Sequence, residues 1–477
     1  MTHTPSARSA ASHAVVIGGS LAGMLAAAAL SHAADRVTII ERDTLPAEPA
    51  PRRGLPQARH AHLLWAGGAR AIESLLPGIQ REWLAAGARR ISLPTGVVTY
   101  TAEGWLRRYR EAQYLIACSR DLLDAVVRTR VQKLANVEIR QAQVTHLTGT
   151  ATQVTGVTTR SADGTEKTVR ASIVVDASGC GSRSPHWLAE FGVPPVTETT
   201  IDSGLTYATR LYRAPSGADD FPLVNIQSNP ADGIPGQTAT IMPIEGQRWL
   251  VTLSGTRGGE PTDDPDRFVE FARSVRHPLV AELIEHAEPL DSAGTVTISR
   301  SGVNKRRYYE RMKWAPEGYV ILGDAVATYN PVFGHGMTVA AVGAKALADA
   351  VRHKGIAAPG LSAEVQRTIS RSVSTAWDLA TGQDIRYPGC IGPKPPAAAR
   401  LLTGYVSRLT RTAASSRRVT VALMEPMTLS GPAHALVRPS VLAAVARGPI
   451  RPPLTTPPLT PSERALAPKP QTLQFSQ

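Results

Sequence analysis

A run of four apolar residues, Ala14-Val15-Val16-Ile17, passes into Gly18-Gly19-Ser20-Leu21-Ala22-Gly23 and then an alanine-rich stretch, and nothing else in the chain restricts the fold as much. The apolar run reads as a short buried strand and residues 21–31 as a helix. Gly18 permits the tight turn between them. Small residues at 19 and 20 let backbone N–H groups approach a pyrophosphate, and Gly23 lets the helix pack on the strand. The helix start adds partial positive charge where the phosphates would lie. Ser20 stands where the dinucleotide fingerprint has its second glycine. Residues 36–40 form a second apolar strand that ends at Glu41, whose carboxylate, about twenty residues past the turn, can accept from both ribose hydroxyls. The front of the chain is therefore expected to be a βαβ unit holding a dinucleotide. Residues 14–30 follow Arg8 and could pass for a signal peptide or short span. The central glycines and the polar sequence that follows argue against both.

Two later segments have the same strand-then-glycine form. Val174-Val175-Asp176-Ala177-Ser178-Gly179-Cys180-Gly181-Ser182-Arg183 ends a predicted strand over 169–176, and Ala162-Asp163-Gly164 is a hairpin turn between that strand and one over 154–159. The apolar strand over 319–322 leads into Gly323-Asp324-Ala325 and then Asn330-Pro331-Val332-Phe333-Gly334-His335-Gly336-Met337, with a helix expected from about 337 to 351. Further helices are expected over 63–76, after Ser119-Arg120-Asp121, near 267–286, and across 362–446. Strands are expected over 137–140, 205–212 and 249–253.

The second segment resembles the nucleotide-contacting strand end of glutathione-reductase-type FAD domains. Together with Arg53-Gly54-Leu55-Pro56-Gln57, Ser119-Arg120 and the third segment, it resembles the flavoprotein monooxygenases of the squalene epoxidase type. Pro56-Gln57-Ala58-Arg59-His60-Ala61-His62-Leu63-Leu64-Trp65 and the Asn330 to Met337 loop look most like the polyene epoxidases of bacterial polyether biosynthesis. The similarity runs from about residue 14 to at least residue 350. It implies an α/β fold with α+β elements: a Rossmann-like FAD domain, a mixed β-sheet substrate domain and a C-terminal helical region. The corresponding division is a leader over 1–12, an FAD domain over 13–184 and 301–355, a substrate domain over 185–300, helices over 356–447 and a proline-rich, extended or disordered tail over 448–477.

The resemblance further implies FAD contacts from Glu41, Arg42, Arg53, Arg120, Val144, Asp324 and Met337. Gly18, Gly19, Ser20, Leu21, Ala22, Gly23, Asp176 and Gly179 would surround the nucleotide, and Gly323 and Pro331 would shape the flavin loop. Asp324 is placed to accept from a ribityl hydroxyl. Gly334 and Gly336 let backbone N–H groups face the pyrimidine edge of the isoalloxazine at a helix start, where negative charge on reduced flavin is stabilised. The implied reaction inserts one atom of O2 into an apolar alkene, a polyene polyketide or terpenoid, through a flavin C4a-hydroperoxide. The flavin carries the chemistry, and His335, between two glycines, is the candidate side chain beside it. Aromatic hydroxylation is the nearest rival. Halogenation and prenyl-chain reduction share the domain, but the Trp-x-Trp segment of tryptophan halogenases is absent. A non-catalytic flavin-binding protein is the alternative of another class. No second nucleotide fingerprint follows, so electrons come from NAD(P)H bound transiently, or through a separate flavin reductase.

Composition limits partners more than fold. The 477 residues carry a net charge of +13, spread in short arginine pairs such as Arg52-Arg53, Arg89-Arg90 and Arg306-Arg307 and not gathered with aromatics on one stretch, which disfavours nucleic acid. Such a surface suits an acidic carrier protein bearing the substrate. Three widely spaced cysteines, Cys118, Cys180 and Cys390, suggest neither disulfides nor a zinc set and fit a cytoplasmic enzyme. Cys180 reads as a small buried filler. His60 and His62 resemble a metal pair, but no carboxylate or cysteine lies at ligand spacing, so no metal is expected.

Overall fold

Five parallel strands form the first sheet, in the order Tyr319–Ile321, Ile173–Asp176, His13–Ile17, Arg36–Glu41, Val137–Gln141. The computed structural model describes residues 11–290, 295–300, 303–393 and 397–466. The expected leader therefore lies, up to residue 10, outside the described residues, as do residues 467–477 of the tail. The three inner strands are buried along almost their whole length, which is why they read as apolar runs, whereas Val137–Gln141, at the far edge, is largely exposed. Helix Leu21–Leu30, nine of whose ten residues are buried, packs directly on the inner strands, and Gly336–Lys354 packs against that helix. The result is the α/β, Rossmann-like arrangement expected.

The open edge at Tyr319–Ile321 is closed by side chains from the helix Leu361–Asp384. The Tyr319 N–H donates to Ser362 Oγ at 3.2 Å and the Ile321 N–H to Gln366 Oε1 at 3.0 Å. Polar helix residues thus satisfy backbone donors that would otherwise template another strand.

A seven-stranded mixed sheet makes the second layer. Thr206–Arg213, Arg248–Gly255, Gln237–Ile244 and Leu223–Ile226 pair antiparallel, and Val97–Thr101 joins parallel to Leu223–Ile226. Two strands of this sheet, Val97–Thr101 and Gly104–Trp105, thus come from well before residue 185. Its core centres on the fully buried Trp249, Phe221, Phe268 and Tyr212.

Several expected elements differ. Residues 63–65 are a strand paired with Gln113–Ala117, and the helix begins only at Ala66. The expected strand over 169–176 is two: Glu166–Arg170 belongs to a hairpin sheet, whereas Ile173–Asp176 joins the parallel sheet. The chain changes sheets at Ala171-Ser172, whose N–H groups donate to Thr155 O and His13 O. The helix near 267–286 is broken into Phe268–Ser274 and Leu279–Ile284 by Pro278, which cannot donate and disfavours helical backbone before it. As far as residue 466, the tail after Gly448 is neither loose nor wholly extended. Leu454, Leu459 and Leu466 pack on the second core, Arg108 pairs with Glu463 at 2.6 Å, and a capping box starts Pro461–Ala465. Among the described residues no helix is long and apolar enough to cross a membrane.

Candidate functional site

Three glycine-containing turns meet at the C-terminal edge of the parallel sheet. Gly18 has a φ of +98°, and a Cβ there would lie 2.7 Å from Ala177 O. A Cβ on Gly23 would lie 1.8 Å from Gly18 O, and one on Gly323, at φ +66°, 2.9 Å from the Ala22 methyl. Segments remote in sequence are thus in van der Waals contact only because glycine stands at each crossing. Leu21 is buried beneath the turn. Ser20 caps the helix with extended backbone and makes no side-chain cap.

Glu41 leans over this turn. Its Oε2 accepts from the Gly19 N–H at 2.7 Å and from Arg52 at 3.0 Å, and its Oε1 accepts from the Asp43 N–H at 2.9 Å. Arg52 also donates to Gly19 O at 3.2 Å. Sequence reasoning missed Arg52. The Arg52-Arg53 doublet was visible, but the structure turns Arg52 inward and leaves Arg53 exposed without a hydrogen bond or ion pair among the described residues. Arg42 is likewise exposed, 3.9 Å from Asp43. Val144 is buried in the strand Gln143–Gly149.

Asp176 does not face outward. It is fully buried, and its carboxylate accepts from the Ser178 N–H at 2.9 Å and the Ser178, Ser182 and Ser184 hydroxyls. It builds the turn from inside, a correction to its expected place beside the nucleotide. Cys180 is exposed, not a buried filler, because those serines already occupy the interior of the turn. Gly179, at φ +84°, lies with open space around its missing Cβ.

The third turn leaves polar atoms free. Asp324 makes no hydrogen bond or ion pair among the described residues. Burial pushes its carboxyl up, opposed by the nearby Arg120 guanidinium. Arg120 is itself buried and paired with Asp124 at 2.8 Å, at the start of a helix capped by Ser119. A Cβ on Gly336 would meet only Asp324 Oδ1, at 3.8 Å, so room remains beside the N-terminus of Gly336–Lys354. Pro331 opens a short 3-10 turn, Gly334 follows at φ +64° against Leu63, and Met337 is buried in the first helical turn.

His335 Nε2 lies 2.9 Å from Met427 O. A carbonyl can only accept, so Nε2 carries the proton, and Nδ1 is a buried acceptor with no partner among the described residues. Burial pushes this imidazole down to about 4, so it is neutral at neutral pH. His60 behaves similarly. One ring nitrogen meets Thr209 Oγ1 at 2.8 Å, the other has no partner, and burial pushes it down to about 4. The two histidine segments run side by side: Trp65 Nε1 donates to Phe333 O at 3.2 Å, and the Trp65 ring lies 6.4 Å from that of His335. His62 Nδ1 donates to His60 O at 2.8 Å, which leaves that nitrogen no free lone pair for a metal.

The sequence-predicted residues brought together are therefore Gly18 to Gly23, Glu41, Gly323, Asp324, Arg120 and the Pro331 to Met337 loop. Sequence reasoning named Asn330 without giving it a role and passed over Tyr207 and Asp384, whose side chains hydrogen-bond that of Asn330. Asn330-Pro331 is a turn-initiating dipeptide that could have flagged the first. Nothing local marks the other two.

A family model described as an FAD binding domain matches residues 11–354. Protein Rv3254 of Mycobacterium tuberculosis (strain ATCC 25618 / H37Rv) is 31% identical over 389 residues, 79% of this chain and 80% of that protein. Among solved structures, the flavin-dependent brominase Bmp2 superimposes with a TM-score of 0.62 at 17% identity, covering 87% of this chain and 94% of that one. The p-nitrophenol 4-monooxygenase PnpA from Pseudomonas putida DLL-E4 gives 0.60 at 17% identity, covering 88% and 97%. At these identities the structural likeness is one of fold.

Proposed function

From the premise that the chain belongs to the FAD binding domain family, we propose that it is an FAD-dependent monooxygenase that inserts one atom of O2 into an apolar alkene. The observation that carries this reading is the meeting of the Gly18, Ala177 and Gly323 turns at one sheet edge, beside a carboxylate, Asp324, that has no donor among the described residues.

The residues fit the cofactor. Gly18 to Gly23 and the helix start would hold the pyrophosphate. Glu41 Oε1 accepts a single protein hydrogen bond and keeps a lone pair for a ribose hydroxyl. Asp324 would accept from the ribityl chain, and the N–H groups at Gly334 to Met337 would face the isoalloxazine. Arg42, Arg53, Arg120, Val144 and Gly179 would complete the contacts. FAD bound there supplies the reductive activation of O2, with electrons from NAD(P)H directly or through a reductase. The chain's own residues position and exclude. The second sheet would shape the substrate cavity, Trp65 and Phe333 would keep water from the reacting face, and the neutral His335 and His60 would offer hydrogen bonds without introducing charge.

Epoxidation of a polyene or terpenoid is the first reading and rests on the resemblance of the Pro56 to Trp65 and Asn330 to Met337 segments. The bare His335 Nδ1 favours a second, hydroxylation of a phenol, whose O–H would satisfy that acceptor. The brominase and p-nitrophenol 4-monooxygenase likenesses keep halide and phenols among the substrates to test. The reduced enzyme is incubated with a linear polyene or a phenol under labelled dioxygen. Incorporation of one labelled atom supports oxygen insertion, and NMR separates epoxide from phenol. Reduced flavin that reoxidises with no labelled product from either substrate contradicts the proposal.

A further inference from the structure

Asn330 begins the loop that leads to Gly334 and Gly336, and it is tied by side chains from three distant elements. Its Oδ1 accepts from Tyr207 OH at 2.6 Å and from the Val332 N–H at 3.0 Å. Its Nδ2 donates to Asp384 Oδ1 at 3.1 Å and Oδ2 at 2.9 Å. The Asn330 N–H donates to Asn304 Oδ1 at 2.7 Å, and Asn304 Nδ2 donates to Asp384 Oδ2 at 2.7 Å, closing a ring. The amide cannot be reversed, because the Val332 N–H only donates and must meet oxygen.

Asp384 is the last residue of the helix Leu361–Asp384 and lies beyond residues 11–354, which the family model matches. Its carboxylate is 2% exposed and has amide and hydroxyl donors, Ser203 Oγ included at 3.4 Å, with no ion pair among the described residues. Burying a carboxylate without a cation is costly, and a helix C-terminus, with its own exposed carbonyls, is the wrong place for it. A residue that breaks two local rules at once is expected to be kept for the site it builds.

Resting on the flavin reading above, we propose that Asp384 is a positioning residue: it orients the Asn330 amide and so holds the Asn330 to Gly336 loop in the shape that receives the isoalloxazine. Through Asn330 the loop's first turn is fixed. The Asn330 side chain accepts from Val332, the turn Pro331–Phe333 follows, and Gly334 reaches φ +64°. Tyr207 binds both Asn330 and the Val332 N–H, the latter at 3.0 Å, so the second sheet is clamped to the same point.

The test exploits donor and acceptor polarity. In Asp384→Asn an NH2 group meets the Asn330 NH2, and FAD affinity is expected to fall about tenfold or more. In the exchange Asp384→Asn with Asn330→Asp, carboxylate and amide trade places. Asn304 still finds an oxygen, Tyr207 and Val332 still find an oxygen, and most of the affinity returns. FAD affinity is read by quenching of flavin fluorescence, with the visible flavin spectrum and the melting temperature of the apoprotein recorded beside it. A single variant that binds FAD like wild type, or a folded exchange variant no better than the single one, overturns the inference. If the single variant does not fold, Tyr207→Phe is read instead. A severalfold loss of FAD affinity supports the clamp, and unchanged affinity and spectrum overturn it. A wild type that takes up no FAD sinks the cofactor reading and this inference together. A wild type that binds beside an unaffected Asp384→Asn sinks the inference alone.

Discussion

The turn at Gly18 and the loop from Asn330 to Gly336 border the same sheet edge but are built by opposite means. The first is made of backbone crossings too close for any Cβ, and Glu41 and Arg52 pair most of its polar groups within the protein, Arg52 Nε excepted among the described residues. The second is held by side chains from far along the chain, and at or beside it the buried His335 Nδ1 and Tyr329 OH have no partner among the described residues. A turn whose polar groups are mostly paired within the protein has little to gain from a ligand's hydrogen bonds. A loop with unmet hydrogen-bonding capacity gains most when a ligand supplies it, at about 1–3 kcal/mol for each buried group left unpaired.

That contrast can be broken most forcefully at Gly23. In Gly23→Ala the methyl would sit on the Gly18 carbonyl, a backbone atom that cannot swing away, so the turn must open. FAD retention through gel filtration should be lost and the melting temperature should drop. A variant that keeps its flavin would show the turn is not close-packed. Next in size is Arg52→Met. The Arg52 and Glu41 side chains are only 6% and 9% exposed, and stripping one partner from a buried pair costs about 3–5 kcal/mol. A denaturant midpoint that does not move would contradict the picture of a self-satisfied turn.

The loop end should answer differently. His335 is pushed from 6.5 down to about 4 in the fold, so the unfolded chain takes up its proton first. Its contribution to stability is complete above about pH 6.5 and is lost as pH falls toward 4, at up to ~1.4 kcal/mol per pH unit. His335→Phe should flatten that part of the pH–stability curve while His60 keeps its own share. An identical curve would show that the imidazole titrates freely. The smallest effect is expected at Asp324→Asn. Apoprotein stability should hold or rise slightly, because a half-buried carboxylate with no hydrogen-bond or ion-pair partner among the described residues becomes a neutral amide, while FAD affinity falls about tenfold. Loss of stability with unchanged FAD affinity would reverse the assignment of the two ends.

The same difference explains what could be read from the sequence. The Gly18 to Gly23 turn, Glu41 and the Gly323-Asp324 turn are local patterns, each a few residues long after an apolar strand, and their spacing is set by backbone geometry. The parallel sheet was legible for the same reason. Asp176 misled because a carboxylate at a strand end serves a turn as readily as a ligand, and only the three serines after it decide which. Tyr207 and Asp384 had no local mark at all: their role arises from where the second sheet and the helix Leu361–Asp384 dock. The break at Pro278 and the switch of sheets at Ala171-Ser172 were missed because apolar periodicity persists across both.

The most direct test of the account is equilibrium titration of the purified full-length apoprotein with FAD, followed by mass spectrometry of whatever cofactor the protein releases on denaturation. One FAD per chain, with the visible bands of a protein-bound oxidised flavin, is the result predicted. A chain that folds with its normal melting transition yet binds no FAD at any concentration would contradict the claim that these three turns close around one cofactor.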